Sequence, residues 1–308
     1  MSDQFFHELD LPAPDYHLGI GSGPHGEQTG RMLAALEPVI VSEGPDRVLV
    51  YGDTNSTLAG ALAAAKLGVP IVHVEAGLRS FNRSMPEEIN RVMTDHVATL
   101  LCCPGDGAAR HLAAEGITRG VHVTGDVMRD LLERVRPSLD ARILTELGLV
   151  PGRYALLTLH RAHNTDHGER LAGILGALAA AGEPVVFPVH PRTRQALASL
   201  GPAPGGSLHA IEPIGYRDML ALQQHARVVL TDSGGVQKEA YWLGVPCITL
   251  RDETEWTETV EAGWNRLAGS DPVAIRAALA ALATPSAHPE LYGDGHSADR
   301  IASLVANP

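Results

Sequence analysis

The sequence predicts an α/β protein of two Rossmann-like, doubly wound domains that face a cleft, and three observations predict this fold. From residue 47 onward, short β-branched runs alternate with Ala- and Leu-rich amphipathic segments, as in repeated βα units with parallel strands. The chain has 308 residues, which is enough for two such domains. Several apolar runs end in polar clusters, and open α/β sheets bind their ligands at such strand ends.

The first domain is predicted from strands and helices that alternate through the first half of the chain. Gly68 marks the end of one helix, because glycine accepts the left-handed backbone that often follows a helix. Strands are predicted over 47–52, 70–74, 100–103 and 121–124, and helices over 56–67, 87–99 and 105–115.

The second domain follows a helical stretch predicted over 126–147, and Pro151 and Gly152 mark the turn into it. Its strands are predicted over 154–159, 185–189, 208–211, 228–231 and 247–250, each followed by a helical pattern. The segment 200–206 is rich in proline and glycine and is expected to be a surface loop. The first domain is therefore expected to comprise 1–130, joined by a C-terminal helix over 292–308, and the second domain 131–291.

The composition argues against several classes of function. The formal net charge is -12 and the 24 Lys and Arg form no basic block, so neither nucleic acid nor a membrane surface is an expected partner. The three cysteines are odd in number and lie in apolar runs, which predicts no disulfide framework. No apolar run reaches the roughly 18 residues of a membrane span, and a cytoplasmic location is expected. The 15 histidines form no compact Cys/His cluster, so no metal is expected.

Polar residues follow several of the predicted strands. They are Asp53, Glu75, His160, Arg161, His190 and the Asp-Ser-Gly-Gly run at 232–235. Because the carboxyl ends of parallel strands share one edge of a sheet, these residues are expected to line one cleft. The alternative for any single residue is a helix cap or a turn, and Asp53, Asp232 and Ser233 are good N-cap candidates.

The run Asp-Ser-Gly-Gly-Val-Gln-Lys-Glu-Ala at 232–240 is the most specific phosphate signal. Gly234 and Gly235 let the backbone approach a ligand closely, and the N-terminus of the helix that follows favours a pyrophosphate. The run matches neither the Walker motif nor GxGxxG, which disfavours a P-loop ATPase or a nicotinamide enzyme. Glu239, one turn beyond Gly235, is placed to bind ribose hydroxyls, and the alternative is a solvated helix carboxylate.

Several runs of the sequence match one known family. They are Gly-Asp-Thr at 52–54, His-Val-Glu-Ala-Gly-Leu-Arg at 73–79, Pro-Glu-Glu-Ile-Asn-Arg at 86–91, Thr-Gly-Asp at 124–126, His-Arg at 160–161 with Asn164, His-Pro at 190–191, Asp-Ser-Gly-Gly-Val-Gln at 232–237 and Arg-Asp-Glu-Thr-Glu at 251–255. On these runs the chain resembles the non-hydrolysing UDP-N-acetylglucosamine 2-epimerases. Their two-domain fold, of the GT-B type, is shared with many nucleotide-sugar glycosyltransferases. The resemblance covers nearly the whole chain, and the runs that begin at 73 and 86 are its most specific part.

The resemblance implies an isomerase that needs no cofactor, neither nicotinamide nor metal. A base removes the C2 proton while UDP leaves C1, and UDP and a proton return to the resulting 2-acetamidoglucal on the other C2 face. The catalytic residues that the resemblance implies are Asp53, Glu75, Glu87 and His160, with Glu87 or Asp53 as the acid/base at C2. The substrate-binding residues that it implies are Arg79, Asn90, Arg91, Arg161, His190, Ser233, Gly234, Gly235, Glu239 and Arg251.

Two features depart from the family pattern. Gln28 and His190 match positions that hold a second, activating UDP-N-acetylglucosamine in some bacterial members, but Glu27 stands where those members tend to carry a basic residue. An acid there repels a diphosphate, and packing or capping is an equal alternative for both residues. The chain also begins beyond the Gly-Thr-Arg-Pro-Glu turn that usually opens the first domain. That domain is therefore expected to lack its initial βαβ unit of ~30 residues or more.

Three other functions stay open from the sequence. A GT-B glycosyltransferase needs an acceptor site, a hydrolysing 2-epimerase releases UDP, and a shortened chain binds a UDP-sugar without turning it over. The expected partners are UDP-N-acetylglucosamine, UDP and a second copy of the chain in a homodimer. The Ala-rich helix over 55–66 is a candidate surface for that dimer, and the alternative is that it packs on its own sheet.

Overall fold

The computed structural model of the protein describes Phe6, residues 8–200 and residues 205–306. The chain divides into two compact units. The amino-terminal unit is formed by residues 13–131 and the chain from 290 onward, and the carboxyl-terminal unit by 132–289 with the described residues up to Pro12. Residues 201–204 of the expected surface loop lie outside the described residues.

The described residues before Pro12 belong to the carboxyl-terminal unit and not, as expected from the sequence, to the first domain. Their contacts give the reason. The Glu8 carboxylate accepts a hydrogen bond from the backbone N–H of Tyr216 at 2.7 Å. The Glu8 carbonyl oxygen accepts another, at 3.4 Å, from Arg217.

The amino-terminal unit has a parallel four-stranded sheet in the order β1-β2-β3-β4. Its elements in this part of the chain are α1 His25–Glu43, β1 Val48–Tyr51, α2 Asn55–Lys66, β2 Ile71–Val74, α3 Pro86–Val97, β3 Leu100–Cys103, α4 Asp106–Ala114, β4 Val121–Val123 and α5 Val127–Val135. The four predicted strands are confirmed. The pattern did not predict α1, and the unit boundary falls inside α5.

The carboxyl-terminal unit has a parallel six-stranded sheet in the order β10-β9-β8-β5-β6-β7. Its elements are α6 Arg142–Glu146, β5 Ala155–Thr158, α7 Ala162–Thr165, α8 Gly168–Ala179, β6 Val185–Pro188, α9 Pro191–Leu200, β7 Leu208–Ile211, α10 Tyr216–His225, β8 Val228–Thr231, α11 Gly234–Trp242, β9 Cys247–Thr249, α12 Thr257–Glu261, β10 Asn265–Leu267 and α13 Pro272–Ala280. Helices and strands alternate, so the predicted α/β class with two parallel sheets is confirmed.

The strand order fixes where a ligand is expected to bind in the carboxyl-terminal sheet. Chain connections leave β5 toward β6 on one side, and the chain later returns to place β8 on the other side of β5. Such a switch point leaves a crevice beyond the carboxyl ends of the two strands. The segments that follow β5 and β8 therefore carry the candidate ligand-binding residues of this unit.

The helix predicted over 126–147 is broken. Helix α5 ends at Val135, a short 3-10 turn spans Arg136–Ser138, and α6 begins at Arg142. Pro137 lies in the break, and proline has no N–H to continue an α-helix.

The last described helix, α14 Ser297–Ala306, belongs to the amino-terminal unit. Asp130, on α5, accepts hydrogen bonds from the backbone N–H groups of Ser297 at 3.0 Å and Ala298 at 2.6 Å, and so caps this helix. Ile301 packs in a core cluster with Val72. None of the helices in the described ranges combines the length and apolar character that a bilayer crossing needs.

Candidate active site

Asp232 joins the ends of β5 and β8 in the carboxyl-terminal unit. Its buried carboxylate accepts hydrogen bonds from the backbone N–H groups of His160, at 3.1 and 3.2 Å, and Arg161, at 3.0 Å. The Asn164 amide donates to it at 3.1 Å. The expectation that Asp232 caps the helix after β8 is wrong, because Ser233 is that N-cap and accepts from the N–H of Val236. Asp232 instead fixes the turn after β5.

His160 lies beside this carboxylate. Its Nδ1 is 3.3 Å from Asp232 Oδ1, so the carboxylate favours a proton on Nδ1 and fixes the ring orientation. The His160 side chain is 39% exposed, which leaves it accessible to a ligand. The centroid of the His190 ring lies 5.7 Å from that of His160. The structure therefore brings two predicted site residues together at the ends of β5 and β6.

The turn that is predicted to bind phosphate follows β8, at the position of the two glycines. The Ser233 N–H donates to Thr231 Oγ1 at 2.9 Å, and α11 then begins at Gly234. A Cβ at Gly234 would lie 3.0 Å from Nε1 of Trp256, so any side chain at this position crowds that ring. The N-terminal N–H groups of α11 and the helix dipole favour an anion at this turn.

Glu239 is buried on the same helix, and two residues that the motif search did not identify hold its carboxylate. Tyr216 donates to Oε1 at 3.0 Å and the Gln223 amide to Oε2 at 2.8 Å. Burial and the charge of Glu239 raise the pKa of Tyr216, so the phenol stays a donor. A carboxylate can accept more than one hydrogen bond on each oxygen, so this geometry is compatible with a ribose ligand.

Two arginines of the predicted site have partners within the carboxyl-terminal unit. The guanidinium of Arg251 is buried and donates to both oxygens of Glu255, at 2.9 and 3.0 Å. Arg161 is half-buried and its backbone N–H is bound by Asp232. Sequence reasoning also missed Lys238, whose buried ammonium lies 3.9 Å from the ring centroid of Trp256.

The predicted carboxylates of the amino-terminal unit follow β1 and β2. Asp53 comes after Gly52 at the end of β1, and Glu75 directly after β2. Glu75 Oε2 lies 3.4 Å from the position that a Cβ on Gly52 would take. Glu75 has a φ of 69°, a left-handed conformation that costs a residue other than glycine about 1–3 kcal/mol. Backbone strain of this kind clusters at functional sites.

Asp53 is held by α3. Arg91 donates from Nη2 and, at 3.1 Å, from Nε to Asp53 Oδ2, and the Asn90 amide donates to the Asp53 carbonyl oxygen at 2.9 Å. The expectation that Asp53 caps α2 is wrong, because Thr54 forms that cap. Glu87 is half-buried in the first turn of α3, one turn before Asn90 and Arg91. The structure therefore gathers Asp53, Asn90 and Arg91 in direct contact.

A stripe of buried charges on α3 supports this group. Glu88, Arg91 and Asp95 recur at helical spacing on the face that packs into the unit. Glu88 accepts from Arg91 Nη1 at 3.1 Å and from the backbone N–H groups of Ser80 and Phe81, both at 2.9 Å. Each charge of the stripe therefore has a partner, as buried ions require.

Arg79 was expected to bind substrate, but its buried guanidinium binds two carboxylates of its own unit. Asp95 lies 2.7 Å from Nη1, and Glu115 accepts from Nε at 2.6 Å and from Nη2 at 2.8 Å. The hydrogen bond from Arg79 holds the pKa of Glu115 below its usual range. These contacts hold the guanidinium inside its own unit, and substrate binding by Arg79 stays a prediction.

Gln28 is connected to the Asp53 group by side-chain amides. Its Oε1 accepts from Asn55 Nδ2 at 2.8 Å, and Asn55 Oδ1 accepts from Asn90 Nδ2 at 3.1 Å. Its Nε2 donates to the Gly21 carbonyl oxygen at 2.9 Å. A second nucleotide at Gln28 and His190 stays a prediction. Across residues 8–200 and 205–306 no three His, Cys, Asp or Glu side chains cluster as metal ligands.

Comparisons with known proteins agree on one family. A family model described as UDP-N-acetylglucosamine 2-epimerase matches residues 1–306. A "UDP-N-acetylglucosamine 2-epimerase homolog" of Methanococcus maripaludis is 48% identical over 100% of this chain and 88% of its own. A "UDP-2,3-diacetamido-2,3-dideoxy-D-glucuronate 2-epimerase" of Pseudomonas aeruginosa is 48% identical over 99% of this chain and 87% of its own. The crystal structure of Methanocaldococcus jannaschii UDP-GlcNAc 2-epimerase in complex with UDP-GlcNAc and UDP has a TM-score of 0.92 and 43% identity, covering 100% of this chain and 88% of that one.

Proposed function

We propose that this protein inverts C2 of UDP-N-acetylglucosamine to give the manno epimer, since the chain belongs to the UDP-N-acetylglucosamine 2-epimerase family. The reaction needs a carboxylate at C2 and a site that holds the departing diphosphate. The observation that carries the proposal is the Asp53 group, in which Arg91 holds the partly exposed carboxylate of Asp53 and Asn90 holds its backbone carbonyl oxygen, beside the strained turn at Glu75.

The proposed reaction keeps every heavy atom of the substrate and replaces the C2 hydrogen, because one carboxylate takes a proton, a second gives one, and both then exchange protons with water. A carboxylate takes the C2 proton, the C2–H electrons form the C1–C2 double bond, and the C1–O bond breaks to release UDP. UDP then returns to C1 while a second carboxylate delivers a proton to the other face of C2. Asp53 and Glu87 are the proposed acid/base residues, and Glu75 lies next to Asp53 along the sheet edge.

The carboxyl-terminal unit is proposed to bind the nucleotide. The N-terminal N–H groups of α11 and the His160 ring, which Asp232 orients, stabilise the charge that develops on the diphosphate. Glu239, held by Tyr216 and Gln223, accepts hydrogen bonds from the ribose. His190 completes the polar surface beside His160.

A second candidate substrate is UDP-2,3-diacetamido-2,3-dideoxy-D-glucuronate. The Pseudomonas aeruginosa relative named for that substrate is 48% identical to this chain, as is the Methanococcus maripaludis homolog. The two substrates undergo the same inversion at C2, so the same carboxylates serve both. They differ in a C6 carboxylate and a C3 acetamido group, whose recognition only a direct comparison of rates can assign.

Proton NMR in deuterium oxide tests the proposal. Each nucleotide sugar is incubated with the protein in the absence of any acceptor, and the C2 proton signal is followed. We expect deuterium at C2 together with a manno product, and no stoichiometric accumulation of UDP. Absence of C2 exchange with both substrates refutes the proposal, and free UDP accumulating to stoichiometry assigns a hydrolysing reaction instead.

Two variants and one control refine this test. Asp53→Asn and Glu87→Gln each remove a proposed acid/base group, and general acid–base catalysis contributes about 10²–10⁴-fold to rates. We expect C2 exchange to fall by that factor in both variants. Glu37→Gln changes an exposed carboxylate on α1 and is expected to leave exchange unchanged. Unaltered exchange in both active-site variants contradicts the assignment. Homodimer formation and a cytoplasmic location stay predictions from the sequence.

A further inference from the structure

A histidine lies in the middle of the amino-terminal sheet, in a strand that is buried along its length. His73 is in β2, which pairs with β1 on one side and β3 on the other, and its side chain has no exposed surface. Its Nδ1 lies 2.7 Å from Asp95 Oδ1, and its Nε2 lies 2.7 Å from the Gly52 carbonyl oxygen. The ring therefore bridges a carboxylate on α3 to the turn after β1.

Both ring nitrogens face atoms that accept hydrogen bonds. The Gly52 carbonyl oxygen can only accept, and Asp95 Oδ2 already accepts from Arg79 at 2.7 Å and from the Gly77 N–H at 3.1 Å. A histidine that donates at both positions carries a proton on each nitrogen. Asp95 thus joins the ring of His73 to Arg79, whose guanidinium is also bound by the Glu115 carboxylate.

His73 faces the Gly52 carbonyl oxygen, in the turn that leads directly into Asp53. Gly52 has a φ of 61°, its N–H donates to the Val74 carbonyl oxygen at 3.0 Å, and its own carbonyl oxygen is the one that faces His73. The next carbonyl oxygen, that of Asp53, accepts from Asn90 at 2.9 Å. The backbone on both sides of Asp53 is thus fixed by side chains from neighbouring elements.

Within the described residues, β1 pairs with a neighbour on one side only. The turn after an edge strand has fewer backbone partners than a turn in the middle of a sheet. His73 therefore supplies this turn with a hydrogen-bond partner from the neighbouring strand β2.

We propose that His73 is a positioning residue, which sets the position of the Asp53 carboxylate by holding the Gly52 carbonyl oxygen while Asp95 holds the ring. The proposal rests on the proposed function, because it assigns His73 an effect on the chemical step. A histidine that only stabilises the core would affect unfolding but not the turnover of the folded enzyme. A positioning residue affects turnover with little change in nucleotide binding, since the proposed nucleotide ligands lie in the other unit.

The experiment compares His73→Gln with a matched control, His122→Gln on β4 of the same sheet. The glutamine amide carries both of its N–H groups on one nitrogen and cannot replace donors at both Nδ1 and Nε2, so the turn loses its fixed position. A misplacement of about 1 Å at a catalytic group costs about 100-fold in rate, and we expect kcat to fall by about that factor in His73→Gln. KM and the UDP affinity from calorimetry are expected to stay at the wild-type values in both variants. A folded His73→Gln variant with wild-type kcat overturns the proposal.

A measurement on the wild-type protein keeps the proposal testable if His73→Gln does not fold. Nitrogen-15 NMR of the histidine ring is expected to show a proton on both nitrogens of His73. A ring with one unprotonated nitrogen overturns the bridge. Wild-type protein without C2 exchange refutes the proposed function alone, and the NMR result still decides whether the bridge exists.

Discussion

Replacing Arg91 with methionine removes one partner from two carboxylates and is expected to destabilise the amino-terminal unit. The arginine side chain is 3% exposed, the Glu88 side chain is 3% exposed and the Asp53 side chain 29%. Breaking a fully buried ion pair costs about 3–5 kcal/mol, whereas an exposed pair contributes about 0–1 kcal/mol. Glu88 keeps its hydrogen bonds to the loop before α3. We therefore expect Arg91→Met to lower the free energy of unfolding of the amino-terminal unit by about 3 kcal/mol, the lower end of that range.

A double-mutant cycle isolates the part that belongs to Asp53. The four proteins are wild type, Arg91→Met, Asp53→Asn and the double variant. Groups in direct contact show interaction energies of about 0.5–3 kcal/mol, and partial exposure of Asp53 places the expected value at about 1–2 kcal/mol. A coupling of this size means that Arg91 fixes the Asp53 carboxylate in the folded protein.

The readout must report on the amino-terminal unit alone. The three tryptophans of the chain, Trp242, Trp256 and Trp264, belong to the carboxyl-terminal unit, so their fluorescence reports on that unit. Amide hydrogen exchange measured by mass spectrometry on peptides from β2 and α3 gives the local unfolding free energy instead.

A control cycle on an exposed pair sets the scale. Glu27 and Arg31 form an i,i+4 pair on α1 of the same unit, with side chains 61% and 58% exposed. Their coupling is expected to be about 0.3–0.5 kcal/mol. If the coupling between Arg91 and Asp53 is no larger than that of the control pair, the reasoning from burial is refuted.

Three further outcomes are expected. Tyr216→Phe removes one donor to the proposed ribose ligand and is expected to weaken UDP binding by about tenfold in calorimetry, as for loss of a hydrogen bond to a charged group. The control is Tyr154→Phe, which removes a phenol bonded to a backbone carbonyl oxygen in the same unit and is expected to leave UDP binding unchanged. Equal losses of affinity in the two variants contradict the role of Tyr216 as a donor to the ribose ligand. Gly234→Ala places a methyl group 3.0 Å from the indole of Trp256 and is expected to weaken UDP binding. Gly176→Ala has open space around it and is expected to leave the affinity unchanged. If both variants bind UDP as the wild type does, the Trp256 ring moves aside. Because the pKa of Glu115 is held below its usual range by its arginine partner, its stabilising effect is present above about pH 4.3 and is lost as the pH falls through that lowered pKa. We expect the melting temperature of Glu115→Gln to lie below that of the wild type at pH 7, and the difference to disappear in acid. A difference in melting temperature that does not depend on pH contradicts the assignment.

The sequence predicted nine of the ten described strands, because each of the nine is a short, mainly apolar run bounded by turn residues. It did not predict β10 Asn265–Leu267, which has only three residues and begins with two polar ones. It did not predict α1, in which Ile40 alone is buried and Pro38 lies inside the helix, so that the apolar periodicity is weak. It joined α5 and α6 into one helix because the amphipathic pattern continues across Pro137. The local sequence pattern identifies elements whose own apolar residues are buried. It fails for elements whose existence or ends depend on packing against another element.

Part of the candidate site was predictable from the positions of glycine and carboxylate residues after apolar runs. The glycines at 234–235 and the carboxylate at Asp53 lie at strand ends, as the order of apolar and polar residues indicates. The pairing of charges was not predictable, because Arg79 and Arg91 lie in the same kind of motif. Only the fold shows that Arg79 binds Asp95 inside the unit and that Arg91 reaches Asp53. Tyr216 carries no motif signal, since its partner is 23 residues away in sequence.

The return of the chain to the amino-terminal unit through α14 sets an order for folding during synthesis. Ile301 completes a core cluster with Val72 and Val74, and Asp130 caps the helix that carries it. The unit formed by 13–131 therefore lacks part of its interior until the ribosome has made α14, whereas the segment 132–289 is complete earlier. Domains usually fold in the order of synthesis. Here the unit that is synthesised later is expected to fold first, and deletion of α14 is expected to destabilise the unit formed by residues 13–131, which lie far from that helix in sequence.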